Sequence, residues 1–500
     1  MTEKPLNILQ VAGEIYPYSK TGGLGHVTAD ITYNLADAGH EVTVFTPLYG
    51  SVWKIIKKEN VETILTDLPV KIDNETTITC SVLKYVRNNG TRKPITFYFI
   101  NHYDFFGRYS KNLYMSPDMH KRFYFFSKAV VAVIKELDLR FEIGHIHDWM
   151  LGLFPRILKE ELGMKSKIPK TVLTIHNLAF QGSSFVNVNR FDKKYQRPPA
   201  INLPKYWDDK RWDRINFLKQ GIKSVDMITT VSSTYAHEIV TPEYGEGLSN
   251  FLSNNGPIYG IVNGINYKRF NPATSKNIKE KFNTINFVDK KRKNKQFLIK
   301  QLKLPKNFIN LPFLVTTHRL SYQKGFDLII EDFKKLMKMN VVIIIMGEGD
   351  KRYVEKFQEL NKKYKNFAFL STFSDVMEER LLAAGDILLC PSVYEPCGTG
   401  HMIGMRYGVV PIARQTGGLA DTIYNYDKRL NLGTGFLFKD FTKEALLDSI
   451  KKSLVYYQDK KIWKGLVLRA MNQSFTWEKS IQEYTYLYRK LLNKTIKRKK

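Results

Sequence analysis

Ten short apolar runs, separated by longer amphipathic stretches, constrain the fold of this chain more than any other feature. In the first half they are Leu6 to Ala12, Val42 to Pro47, Ile95 to Ile100, Ile143 to His147 and Thr171 to Ile175. In the second they are Phe313 to Thr317, Val341 to Met346, Phe367 to Leu370, Ile387 to Pro391 and Val409 to Ala413. Runs of this length that are apolar throughout predict strands buried on both faces, the habit of parallel sheets covered by helices. Their alternation with helical stretches predicts an α/β chain built from doubly wound sheets. Five hundred residues exceed what one core organises, so two domains are expected. A Gly/Pro/Asn-rich stretch at 256–272 sets the predicted division: one domain over 1–258 and a second over 259–475. A helix over 476–493 places Ile481, Tyr484, Leu487, Tyr488 and Leu491 on one face and is expected to pack back on the first domain; a basic tail, 494–500, follows.

Composition removes several function classes. No apolar run approaches the ~18 residues of a membrane helix, and the chain enters its first strand directly after Met1-Thr2-Glu3-Lys4-Pro5, so neither a membrane span nor a targeting peptide is expected. Three cysteines, Cys80, Cys390 and Cys397, make no disulfide framework and suit a reducing cytoplasm. A net charge of +29 raises nucleic acid as a partner, but the lysines are scattered among Asn, Ile, Tyr and Phe, as codon drift in an AT-rich genome would leave them. Lys290-Lys291-Arg292-Lys293 and the terminal Lys497-Arg498-Lys499-Lys500 are expected to be solvated surface, and no nucleic-acid partner is expected.

Chemistry gathers where the apolar runs end. Lys20-Thr21-Gly22-Gly23-Leu24-Gly25 follows the first run and opens an amphipathic stretch, Val27 to Leu35. Strand, Gly-rich turn and helix start together make an anion cradle, with Lys20 adding a full positive charge. The tetrapeptide recurs as Thr416-Gly417-Gly418-Leu419 in the second half, again behind an apolar run. His147-Asp148-Trp149 and His176-Asn177 close two successive runs. His145 and His147 share a strand face, but with no downstream ligand cluster a metal is not expected; His145 reads as core and His147 as functional. Arg319 and Lys324 suit a diphosphate. Glu395-Pro396-Cys397-Gly398 offers a carboxylate for sugar hydroxyls and backbone N–H groups at Gly398 and Thr399 for phosphate, while Cys397 reads as a packing residue. No Asp-x-Asp pair occurs, so a diphosphate here would be neutralised by Lys20, Arg319, Lys324 and backbone amides rather than by a metal.

These segments resemble the bacterial glycogen synthases and plant starch synthases. The likeness extends through Thr174-Ile175-His176-Asn177-Leu178-Ala179-Phe180-Gln181-Gly182, Asn216-Phe217-Leu218-Lys219, Thr229-Thr230-Val231-Ser232, Asn263-Gly264-Ile265-Asn266 and Met405-Arg406-Tyr407-Gly408, in family order from Leu6 to Leu491. The resemblance implies a GT-B glycosyltransferase: two Rossmann-like domains facing a deep interdomain cleft, needing neither metal nor cofactor. It implies retaining transfer of glucose from ADP-glucose to the non-reducing end of an α-1,4-glucan. It places Lys20, Gly22 and Gly23 at the nucleotide sugar, Asp118 near the sugar and His147 beside the anomeric carbon. Arg319 and Lys324 fall on the diphosphate, Glu395 and Cys397 on the glucose hydroxyls. His176, Asn177, Gly398 and Thr399 join the donor-binding set. The chain departs from the family at His26, Met119, Met150, Thr399, Gly400 and His401. Those departures leave two alternatives: a transferase with a changed donor, such as UDP-glucose, or acceptor, and a glucan-binding paralogue without turnover.

Overall fold

The computed structural model describes residues 4–57, 60–88, 90–109, 113–114, 119–163, 168–185 and 214–497. Among them the chain divides into two units: Ser232–Tyr235 with Val262–Thr476, and the remainder, to which the helix Trp477–Lys497 belongs.

In the first unit the apolar runs become strands β1 (Asn7–Val11), β2 (Glu41–Pro47), β5 (Ile95–Asn101), β6 (Ile143–His147) and β7 (Lys170–Ile175). Between them lie β3 (Glu62–Lys71) and β4 (Thr77–Arg87), then β8 (Ser183–Phe185), β9 (Arg214–Asn216), β10 (Met227–Thr230) and β11 (Ile258–Gly260). Nine strands form one sheet in the order β11-β10-β7-β6-β1-β2-β5-β4-β3. It is parallel except at one edge, where β4 runs antiparallel to both β3 and β5. That hairpin departs from the all-parallel expectation for a physical reason: its strands alternate buried and exposed residues, the mark of an edge that faces water on one side. Register places Ile8 opposite Val42 on one side of β1 and opposite Ile143 on the other.

The second unit has a six-stranded, wholly parallel sheet. Its strands are β12 (Phe313–Thr316), β13 (Val342–Met346), β14 (Phe367–Leu370), β15 (Ile387–Cys390), β16 (Val410–Arg414) and β17 (Phe436–Phe438), in the order β14-β13-β12-β15-β16-β17. Every residue of β12, β13, β15 and β16 is buried. Among parallel neighbours strand order reverses between β1 and β6 in the first sheet and between β12 and β15 in the second. Loops at the carboxyl ends of strands flanking such a reversal diverge and leave room for a ligand.

The last helix, Trp477–Lys497, buries Ile481, Tyr484, Leu487, Tyr488 and Leu491 against the first unit. Burying each of these side chains contributes about 2 kcal/mol. His40 joins it, with Nε2 3.1 Å from Thr485 Oγ1.

One surface expectation is corrected. Lys291, within the basic cluster of helix Phe287–Gln301, is buried, and its ammonium donates to the carbonyls of Leu382 (3.1 Å) and Tyr407 (2.8 Å). A helix that packs must turn some residues inward, and a lysine stem can cover apolar surface while its head finds acceptors. Burial pulls Lys291 down to about 7. One turn on, Lys295 is paired with Asp386 at 2.6 Å.

Candidate active site

The predicted residues of the first unit stand at the carboxyl ends of three neighbouring strands, β7, β6 and β1. His147 is the last residue of β6 and is 1% exposed; His176 and Asn177 leave β7 and are half-buried. Both ring nitrogens of His147 are engaged: Nε2 lies 2.9 Å from Gln10 Oε1, and Nδ1 lies 3.1 Å from His176 Nε2. An amide oxygen only accepts, so His147 carries its proton on Nε2 and accepts at Nδ1 from His176. Burial holds His147 well below the usual imidazole range and takes His145 and His176 to about 3, so all three rings are neutral. His145 and His147 do share a strand face, with ring centroids 4.3 Å apart. His145 bonds Thr174 Oγ1 at 2.7 Å and Tyr488 at 2.8 Å. Among the described residues no group of three or more His, Cys, Asp or Glu is arranged to hold a metal ion.

Asp148, directly after His147, has φ of 55°, a conformation a non-glycine residue adopts at a cost. Its carboxylate accepts the His176 amide at 2.7 Å, joining the ends of β6 and β7. Burial raises Asp148 to about 7, against amide hydrogen bonds from His176 and Asn177 that lower it. Beyond the turn, the Trp149 ring is 2.1 Å from where a Gly182 Cβ would lie, so the segment ending in Gln181-Gly182 fits this ring only as glycine.

The Gly-rich turn after β1 leads into helix Leu24–Asp37. Lys20 and Gly23 are exposed and Gly22 is half-buried. Two amides of the predicted cradle are already taken: the buried Glu14 carboxylate accepts from Thr21 (2.5 Å) and Gly25 (3.0 Å). An anion at this turn is left with the other amides and with Lys20, whose Nζ is 3.4 Å from His26 Nε2. His26 in turn packs on the Tyr16 ring, centroid to centroid 4.5 Å.

In the second unit the predicted residues again stand at neighbouring strand ends, those of β12 and β15. Arg319 is exposed. Lys324 ends a single 3-10 turn, Tyr322–Lys324, and its ammonium meets the buried Glu395 carboxylate at 2.5 Å. Ser392 Oγ donates to the same Glu395 oxygen at 3.0 Å. The chain can turn so tightly after Lys324 because Gly325 has φ of 67° and lies against the Pro391 carbonyl, 1.8 Å from where a Cβ would be. Gly398, at φ 75°, precedes helix Thr399–Arg406, and Gly398 and Thr399 are half-buried at its positive end. Cys397 is buried and its thiol is pushed up to about 12 by burial, which keeps it a packing group rather than a nucleophile. The second Thr-Gly-Gly-Leu backs this loop: Gly418 N donates to Glu395 O at 3.0 Å.

Asp118 lies outside the described residues. Sequence reasoning missed Gln10, Glu14, Ser392 and Tyr488. Gln10 and Glu14 left a signal, an amide inside an apolar run and a carboxylate just beyond it. Ser392 and Tyr488 left none.

Two family models match the chain: starch synthase catalytic domain over residues 7–254 and glycosyl transferases group 1 over residues 295–461. The glycogen synthase of Desulforudis audaxviator is 35% identical, covering 99% of this chain and 98% of its own length. That of Thermosipho melanesiensis is 36% identical over 98% of this chain and all of its own. Among solved structures, the catalytic domain of starch synthase IV from Arabidopsis thaliana, bound to ADP and acarbose, matches with a TM-score of 0.83 at 26% identity, covering 98% of this chain and 100% of that one. The sheet topology is thus that of the GT-B glycosyltransferases, and the chain belongs to the glycogen synthase and starch synthase family.

Proposed function

We propose that this chain is a glycogen synthase that transfers glucose, with retention, from ADP-glucose to the 4-OH at the non-reducing end of an α-1,4-glucan. The observation that carries the reading is the Lys324–Glu395 pair beside the start of helix Thr399–Arg406, within a chain similar to glycogen synthases along its whole length. A cation and a helix N-terminus suit a diphosphate, and a buried carboxylate suits sugar hydroxyls.

In this reading Arg319, Lys324 and the amides at Gly398 and Thr399 hold the diphosphate, and Glu395 receives the glucose hydroxyls with Cys397 packed beside it. The residues Lys20, Gly22, Gly23, His147, His176 and Asn177 serve the nucleotide sugar, the reacting carbon and the glucan, with Asp118 assigned near the sugar. The bond between the anomeric carbon and the phosphate oxygen breaks while the acceptor 4-oxygen bonds to the same face. The acceptor proton passes to the leaving phosphate. Negative charge grows on that phosphate, so fixed cations stabilise the transition state more than the ground state. Positive charge grows at the anomeric carbon, and there the neutral state of His147 matters: an imidazolium would oppose it. A two-carboxylate scheme is the competing one, and no second carboxylate of this sequence matches a nucleophile of the resembled family. A reducing cytoplasm suits the three buried free thiols.

The test is incubation of the purified chain and glycogen with labelled ADP-glucose or UDP-glucose. Label entering polymer from ADP-glucose is expected. Entry from UDP-glucose alone would mean a changed donor, and retention on glycogen without transfer from either would mean a glucan-binding protein.

A further inference from the structure

The last helix carries a polar atom into the buried hydrogen-bond chain that holds His147. Tyr488 is fully buried, and its hydroxyl lies 2.8 Å from His145 Nδ1 although 343 positions separate the two residues. Gln10 spans both histidines, its Nε2 3.4 Å from His145 Nδ1 and its Oε1 2.9 Å from His147 Nε2. From His145 Nε2 the chain continues to Thr174 Oγ1 (2.7 Å), Thr229 Oγ1 (2.6 Å) and the Leu173 carbonyl (3.4 Å).

One set of proton positions satisfies every contact. With Tyr488 and Gln10 both donating to it, His145 Nδ1 is an acceptor, so its proton sits on Nε2 and is donated to Thr174. Thr174 then donates to Thr229, and Thr229 to a carbonyl that can only accept. A proton on His145 Nδ1 would face the Gln10 amide N–H, turn the amide over and reverse the bond to His147. A tyrosine hydroxyl can donate or accept, and the direction is set at the other end. The Leu173 carbonyl only accepts, so Thr229, Thr174 and His145 Nε2 donate in turn. Tyr488 then donates to His145 Nδ1, at 2.8 Å the shorter of the two contacts there.

We propose that Tyr488 is a positioning residue for the transfer reaction: its hydroxyl orients His145 and, through Gln10, keeps the His147 proton on Nε2 with Nδ1 toward His176. This rests on the reading that His147 borders the reacting carbon. It gives the last helix a task in the reaction beyond covering apolar surface.

The test is Tyr488→Phe, which keeps the ring and removes the hydroxyl, with the exposed Tyr486→Phe as control. Turnover of Tyr488→Phe is expected to fall about tenfold, with KM for ADP-glucose changed less than about twofold, and Tyr486→Phe to match the parent chain. In the full-length parent labelled with ¹⁵N-histidine, and assigned by single His replacements, His147 should show a protonated Nε2 and an unprotonated Nδ1. Those signals should broaden or exchange tautomers in Tyr488→Phe. A protonated Nδ1 on His147 in the parent would overturn the proposal, as would unchanged turnover with unchanged signals in the variant. Equal losses in kcat/KM and thermal midpoint with unmoved signals would reduce Tyr488 to a structural residue. If the parent transfers no glucose, the catalytic half falls with the reading it rests on, while the imidazole signals still decide the hydrogen-bond chain.

Discussion

Thr21-Gly22-Gly23-Leu24 and Thr416-Gly417-Gly418-Leu419 are the same four residues behind the same kind of strand, yet the structure uses them in opposite ways. In the first unit Gly23 faces open space: a Cβ added there meets nothing within 4 Å. In the second, a Cβ on Gly417 would lie 1.9 Å from the Glu395 carbonyl oxygen and one on Gly418 2.0 Å from that of Cys397. At Gly23 the first turn has room for a side chain; in the second another backbone takes that room. A repeated motif thus leaves open backbone at Gly23 in one unit and packs against the Glu395 loop in the other. Identical sequence did not imply identical chemistry.

The sharpest way to break this contrast is Gly418→Ala. Forcing a methyl group into a carbonyl should cost about 3 kcal/mol or more and abolish turnover with it; a thermal midpoint equal to the parent's would show that this packing is slack. Next comes Lys324→Ala, which strands the buried Glu395 carboxylate. A loss of about 2–3 kcal/mol and at least a ~100-fold fall in turnover are expected, and adding Glu395→Gln should restore the melting temperature without restoring turnover. Lys20→Ala separates the two regions more finely. Lys20 is exposed, so melting should hold within ~0.5 kcal/mol while turnover drops at least ~100-fold; a parallel loss of both would make this lysine structural. Smallest is Gly23→Ala, for which stability should be unchanged or raised by up to ~1 kcal/mol, because φ there is −68° and alanine adopts it freely. A fall in melting temperature for that variant would contradict the open-space assignment.

How far the sequence reached differs between scaffold and site. Apolar runs located β1, β2, β5, β6, β7 and β12 to β16 to within a residue or two, because strands buried on both faces have little choice of composition. They could not find β3 and β4, which alternate, or β10, whose Thr229 and Thr230 look polar until their hydroxyls meet Thr174 and the Ile175 carbonyl at 2.6 and 2.7 Å. In the site, groups at strand ends were legible: His147, His176, Arg319, Lys324 and Glu395 each follow or close an apolar run. Their partners were not. Glu14 reaches forward seven residues to fill part of the predicted phosphate cradle, and Tyr488 reaches back across most of the chain. Pairings between distant segments are fixed by packing, and local pattern carries no trace of them. The buried Lys291 is the converse case, a charge run that looked solvated until tertiary structure turned one of its members inward.

The most direct measurement is of the product bond. After transfer from labelled ADP-glucose to glycogen in the presence of EDTA, the polymer is digested with β-amylase, which cleaves α-1,4 chains from their non-reducing ends. Release of the label as maltose, undiminished by the chelator, is the predicted result: α-1,4 linkage made with retention at the non-reducing end, and no need of a metal. Label that resists β-amylase, or incorporation that disappears with EDTA and returns with a divalent cation, would contradict it.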